Sequence, residues 1–146
     1  MELITHANNE DKLTTTKFKI MKTTKIVYWA STTIIFLFDA VMPALTSHLP
    51  LAVESIKHLG YPDYFRVQLT IFKVIGGLLL ITPKVSTRLK EWAYVGFAIN
   101  FISASVAHLM VDGFGFFMIM PLIILGILVL SYVSYHKLND NKITIA

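Results

Sequence analysis

The chain has 146 residues, 55% of them hydrophobic and only 15% charged, with a formal net charge of +4 and a mean hydropathy of +0.63. A soluble domain of this size would carry about 25% charged residues, and so short a chain cannot hide this much apolar surface in one aqueous core. Disorder, collagen, a disulfide scaffold (cysteine is absent) and an ordinary soluble enzyme are excluded, which leaves a small integral membrane protein.

In chain order, residues 1–21 are polar and poor in aromatics and read as a disordered cytoplasmic tail. Met21 stands directly ahead of the first apolar run and is a candidate start codon, an expectation that N-terminal sequencing decides. Residues 22–138 read as one membrane domain with spans at about 26–45, 65–82, 92–110 and 116–135. Each approaches the roughly 20 residues that cross about 30 Å of hydrocarbon at 1.5 Å rise. None has the broad polar face of a water-exposed helix, and none alternates with period two as barrel strands do. A signal peptide does not account for the first run, which exceeds the usual 7–15 residues and lacks a small-x-small cleavage site.

The loop after the first span contains an amphipathic stretch at 51–59, with Gly60 placed to cap a short helix and Pro62 to end it. Pro83 closes the second span. Gly113 and Gly115 make the third connection a tight turn, so neighbouring helices run antiparallel. The fold class is therefore all-α: an up-down-up-down four-helix membrane bundle with a short amphipathic helix in its first outer loop. Residues 139–146 form a second cytoplasmic tail.

Orientation follows from the basic residues. Lys12, Lys17, Lys19, Lys22 and Lys25 precede the first span, Lys84, Arg88 and Lys90 lie near the second connection, and Lys137 and Lys142 follow the fourth span. The opposite side carries Lys57 and Arg66 alone. The asymmetry predicts that both termini are cytoplasmic, and the expected location is a bacterial inner (plasma) membrane. It also explains the positive charge without a nucleic-acid partner, since no basic face on a soluble module is visible.

Polar residues inside the spans carry the functional question. Asp39, Lys73 and Asn100 lie in the first three spans, with His108 near the outer end of the third. A charge at mid-helix costs about 2.5–3.5 kcal/mol on insertion scales and normally faces the bundle interior. At 1.5 Å per residue Asp39 lies about 9 Å, and Lys73 about 12 Å, below the same outer boundary. Asn100 falls near that level. The expectation is a buried Asp39–Lys73 ion pair with Asn100 as a further hydrogen-bonding partner. Such a pair either specifies helix packing or marks a ligand or proton site, and sequence leaves both open.

His108, one turn before Asp112, reads as a polar cap, and no histidine or carboxylate spacing suggests a metal. His48, His58 and His136 read as solvated loop or interfacial residues. Gly76, Gly77, Gly96 and Ala104 form small-residue stripes suited to close helix packing. No phosphate loop, dinucleotide fingerprint or nucleophile elbow is present, so neither a cofactor nor catalysis by this chain alone is expected.

The strings HLGYPDYF (58–65), FKVIGGLLLITP (72–83) and LKEWAYVGFAINFISASVAH (89–108) resemble the DoxX-like membrane proteins. FDAVMPALTS (38–47) and SYVSYHKL (131–138) also fit that pattern. Lys73, Trp92, Gly96 and His108 are positions where the likeness is carried. The resemblance implies a four-helix membrane bundle and a non-catalytic accessory subunit of a membrane redox or stress-related complex, with a redox partner or a second copy of the chain beside it. The alternative is a binder or carrier of a quinone, lipid or small acid at a polar site inside the bundle. A proton-coupled transporter fits less well, since no inverted repeat is evident.

Overall fold

Every predicted apolar run is helical, and the described residues contain no strand. The computed structural model describes the backbone of residues 2–143 and the side chains of residues 15–140. Helix α1 (Glu2–Ile35) runs through a wider π-turn (Phe36–Val41) into α2 (Met42–Thr46). Helix α3 (Pro50–His58) occupies the first loop, and α4 (Asp63–Ile81), α5 (Thr87–Val111) and α6 (Phe116–Ile143) follow. The four stretches long and apolar enough to span a bilayer are Thr15–Thr46, Asp63–Ile81, Thr87–Val111 and Phe116–Asp140. The molecule is thus a four-helix membrane bundle. Helices α4 and α5 begin ahead of the hydropathy bounds at 65 and 92, because a polar first turn is helical without being apolar.

Where sequence suggested a disordered tail over residues 1–21, α1 is helical from Glu2 onward. Extending an existing helix is far easier than nucleating one. The Thr23 and Thr24 hydroxyls reinforce the extension by donating to the Lys19 and Ile20 carbonyls at 3.1 and 2.9 Å. At the other end α6 continues to Ile143, into the stretch read as a second tail. Residues 144–146 lie outside the described residues.

The bundle closes as a ring in which α1 packs on α6, α6 on α5, α5 on α4, and α4 on α1 and its π-turn. Large apolar side chains face outward: Phe38, Ile75, Trp92 and Phe116 are 51–75% exposed. Burial is inverted relative to a soluble protein, because Thr32, Asp39, Lys90 and Ser131 are among the most enclosed residues. Hydrocarbon supplies no hydrophobic drive between helices, so close packing and interhelical hydrogen bonds hold them. Ser131 of α6 ties three helices: its hydroxyl lies 2.7 Å from Thr32 Oγ1 on α1 and 2.9 Å from Tyr94 Oη on α5. Tyr28, Ile35, Leu80, Phe97 and Phe101 fill the space around this knot.

Two local devices position the site. Pro43 has no N–H to offer the Asp39 carbonyl four residues back, and its ring crowds that carbonyl. The helix widens just before it, so that the Met42 N–H reaches Leu37 O, five residues back. Helix α3 is stopped by Gly60 at φ +82°, with Gly60 N donating to Lys57 O at 2.9 Å and Tyr61 N to Ile56 O at 3.1 Å. This is the Schellman pattern, which only a residue at ease with positive φ completes without strain.

Candidate functional site: an ion pair beneath a loop helix

The π-turn presents Asp39, and α4 presents Lys73 opposite it. A Cβ built on Gly77, one turn beyond Lys73, would come within 2.5 Å of Ala40 Cβ. Only glycine allows α4 to approach the π-turn this closely, and that approach brings Lys73 Nζ to 2.6 Å from Asp39 Oδ1. Asp39 is 4% exposed, and its second oxygen, Oδ2, is buried with no hydrogen-bond donor. The Lys73 side chain retains 20% of its surface. One carboxylate oxygen is therefore paired with Lys73, while the other is enclosed without a hydrogen-bond partner.

Above the pair lies a cavity of about 420 Å³. Asp39, Lys73, Asn100 and His108 all line it, together with Ala104, Phe101 and Pro121. Its roof is α3, which contributes Ser55, Ile56 and Leu59, followed by Tyr61. Two polar clasps hold the roof end. Arg66 binds Asp63 through both carboxylate oxygens (2.9 and 3.3 Å) and donates to the Ser47 carbonyl at the end of α2. His58 Nε2 lies 2.5 Å from Asp112 Oδ1, while His108 Nδ1 lies 2.7 Å from Asp112 Oδ2. Hydrogen bonds from His108 and then His58 hold the Asp112 carboxyl below the usual carboxylate range.

A second opening reaches Lys73 and Asn100 from the side. About 510 Å³ is enclosed by α4 and α5 alone, including Phe65, Lys73, Gly76, Trp92, Gly96 and Asn100. With only two helices in its walls, this is a groove on the outer face of the bundle, where lipid lies. Lys73, Asn100, Ser103, Phe65 and Leu69 belong to both volumes, so the groove leads to the ion pair.

Not every residue singled out by sequence has the role expected. Asn100 makes no side-chain hydrogen bond to Asp39 or Lys73 among the described residues; its amide stands between cavity and groove. A Cβ built on Gly76 would lie 2.9 Å from Phe97 Cε2, so here too glycine permits a close interhelical approach, as at Gly77. At Gly96, by contrast, an added Cβ would meet nothing within 4 Å, so this glycine keeps the groove open instead of joining helices. Ala104 lines the cavity. His58, read as a solvated loop residue, is exposed but bonded to Asp112.

Sequence reasoning missed Lys90. Counted among the flanking charges, it is 1% exposed, with Nζ donating to Tyr28 Oη and Leu80 O, both at 3.0 Å. Its position before Trp92 hid it, because hydropathy began the span two residues later. The π-turn was missed as well, although a proline four residues after an intramembrane aspartate is a readable signal for it. Among the described residues no group of three or more His, Asp or Glu is placed to hold a metal.

A sequence model described as DoxX-like family matches residues 27–131, which contain Asp39, Lys73, Asn100 and His108. No curated protein and no solved structure matches the chain.

Proposed function

The chain belongs to the DoxX-like family of membrane proteins, and from that premise we propose that it binds an amphiphilic small molecule in the cavity beneath α3, with the apolar part lying in the α4–α5 groove. The observation that carries this reading is the buried Asp39–Lys73 pair in the wall of a roofed cavity, with Lys73 and Asn100 also lining a lipid-facing groove. Apolar walls around a few fixed polar groups are the usual form of a small-molecule site.

The polar groups narrow the ligand class. The Asp39 carboxylate accepts, so the ligand head donates an O–H or N–H there. Lys73 and the Asn100 amide donate, so the same head also accepts. A quinol or hydroxyquinone offers both functions on a flat ring with a lipophilic tail. An ionised small acid offers acceptors only and would place a second anion beside Asp39, which costs several kcal/mol without a further cation. The protein then acts as a quinone-class binder or carrier of a bacterial plasma membrane, and the basic flanks argue for both termini cytoplasmic and α3 outside. The accessory-subunit reading rests on the resemblance, on the small-residue packing stripes and on a sequence without a catalytic motif.

The test is retention of a short-tailed benzoquinol by the full chain in zwitterionic nanodiscs, read by native mass spectrometry and by quenching of Trp92, which lines the groove. Wild type should bind one molecule. Lys73→Met should lose at least tenfold in affinity through the head, and Gly96→Leu should lose binding by filling the groove. Equal binding by all three proteins, or none by wild type, refutes the proposal. A stoichiometric protein partner without a small molecule would instead favour the accessory role.

A further inference from the structure

The far end of the bundle from α3 holds a second pocket, of about 490 Å³, walled by α1, the α4–α5 connection, α5 and α6. Its polar lining includes Lys25, Lys90, Tyr28, Tyr135 and Asn139, and no carboxylate contributes to it. Lys90 is the notable member. An ammonium group buried to 1% exposure ordinarily requires a counter-ion, yet among the described residues no carboxylate lies within ion-pair distance of it. It donates to Tyr28 Oη and to Leu80 O, and its Nζ stands 5.7 and 5.2 Å from the ring centres of Tyr28 and Tyr135. The Tyr135 ring favours the charged form, while Tyr28 is met at its hydroxyl edge. An ammonium carries three N–H donors, and two have protein acceptors, so one donor and the whole positive charge are left for something else. Lys25 adds a second positive charge to the lining.

We propose that this pocket is an anion site that takes a phosphate group, with Lys90 as its buried ligand and Lys25 as its second cation. Tyr135 Oη, whose one hydrogen bond is a long 3.3 Å contact to Thr87 Oγ1, is within the same lining and can turn its proton to the anion. Trp29 and Leu138 in the wall suit the glycerol and upper acyl region of a phospholipid, while inorganic phosphate satisfies the same donors. The shared chemistry is a phosphoryl oxyanion between two lysines. The site is separate from the cavity beneath α3, and no residue belongs to both linings.

The experiment uses the full chain in two kinds of nanodisc. One is a neutral galactolipid without phosphorus, titrated with inorganic phosphate at constant ionic strength; the other mixes that galactolipid with phosphatidylglycerol. Native mass spectrometry counts retained anionic lipid, and thermal unfolding reports stabilisation. Retention of phosphatidylglycerol assigns the site to a headgroup; stabilisation by phosphate in the galactolipid discs assigns it to a soluble anion. In either arm Lys90→Met should weaken binding at least tenfold, as expected for loss of a charged hydrogen bond, and Lys25→Gln by about fivefold, as for one surface cation. Lys73→Met, at the opposite end, should leave it unchanged, which separates this test from that of the quinol site. Should Lys90→Met fail to fold, Lys25→Gln and Tyr135→Phe keep Lys90 in place and must still weaken binding. No anion binding in either disc, or binding equal in wild type and the pocket variants, overturns the proposal.

Discussion

Cutting the Asp39–Lys73 pair from one side should not equal cutting it from the other. Replacing Lys73 with Met removes the one donor that reaches Asp39 and leaves both carboxylate oxygens without a partner at 4% exposure. An uncompensated charge at mid-membrane costs about 3 kcal/mol. Asp39→Asn is milder. The asparagine oxygen still accepts from Lys73, whose side chain keeps 20% of its surface in the cavity and groove, and the loss should be about 1 kcal/mol. Asp39→Asn with Lys73→Met strands no charge and should also lose about 1 kcal/mol, which gives a coupling of about 3 kcal/mol. Equilibrium unfolding in mixed micelles at pH 7 measures all three variants. Additivity within about 0.5 kcal/mol, or an Asp39→Asn loss equal to that of Lys73→Met, would refute the reasoning.

Other contacts give further expected outcomes. Gly77→Ala should lose about 1–3 kcal/mol, since its Cβ would meet Ala40 Cβ at 2.5 Å; Gly96→Ala, which meets nothing within 4 Å, should be neutral or gain about 0.5–1 kcal/mol from helix propensity, and the same unfolding assay ranks them. Ser131→Ala should lose about 1–2 kcal/mol, because Thr32 and Tyr94 both lose its hydroxyl; an unchanged unfolding midpoint would contradict the knot. The Asp112 carboxyl is held below its ordinary value of 3.8 by His108 and His58. Its contribution is therefore present above pH 3.8 and fades as pH falls through the lower folded value. Carbon-detected NMR of Asp112 should show titration below 3.8, and titration at or above that value would refute the clasp.

Spans, antiparallel order and the loop helix were legible because lipid selects on length and hydropathy, both one-dimensional properties. The similar depths of Asp39 and Lys73 came from the same counting. Counting cannot supply direction around the helix axis. Helices apolar on all sides carry no stripe to say which residues face a neighbour, so Gly77 and Gly96 look alike in sequence while one touches Ala40 and the other opens onto a groove. Lys90 was misjudged for the same reason: a lysine at a span end usually reaches for water, and only the positions of Tyr28, Tyr135 and Leu80 show this one turned inward. Asn100 had the right depth but not the orientation for a bond to the pair.

The widened turn at Phe36–Val41 has a consequence for phase. Thr32 and Asp39 are one heptad apart, and in an unbroken α-helix such residues point within about 20° of each other. Here Thr32 bonds Ser131 on α6, while Asp39 bonds Lys73 on α4. A turn that holds one extra residue shifts the azimuth of the residues beyond it by about 100°, enough to redirect the second side chain from one neighbour to the other. Deleting a single residue between 36 and 38 would restore regular winding and force a choice between the two partners. The first span thus serves two sides of the ring from one heptad, and the widened turn sets the angle between them.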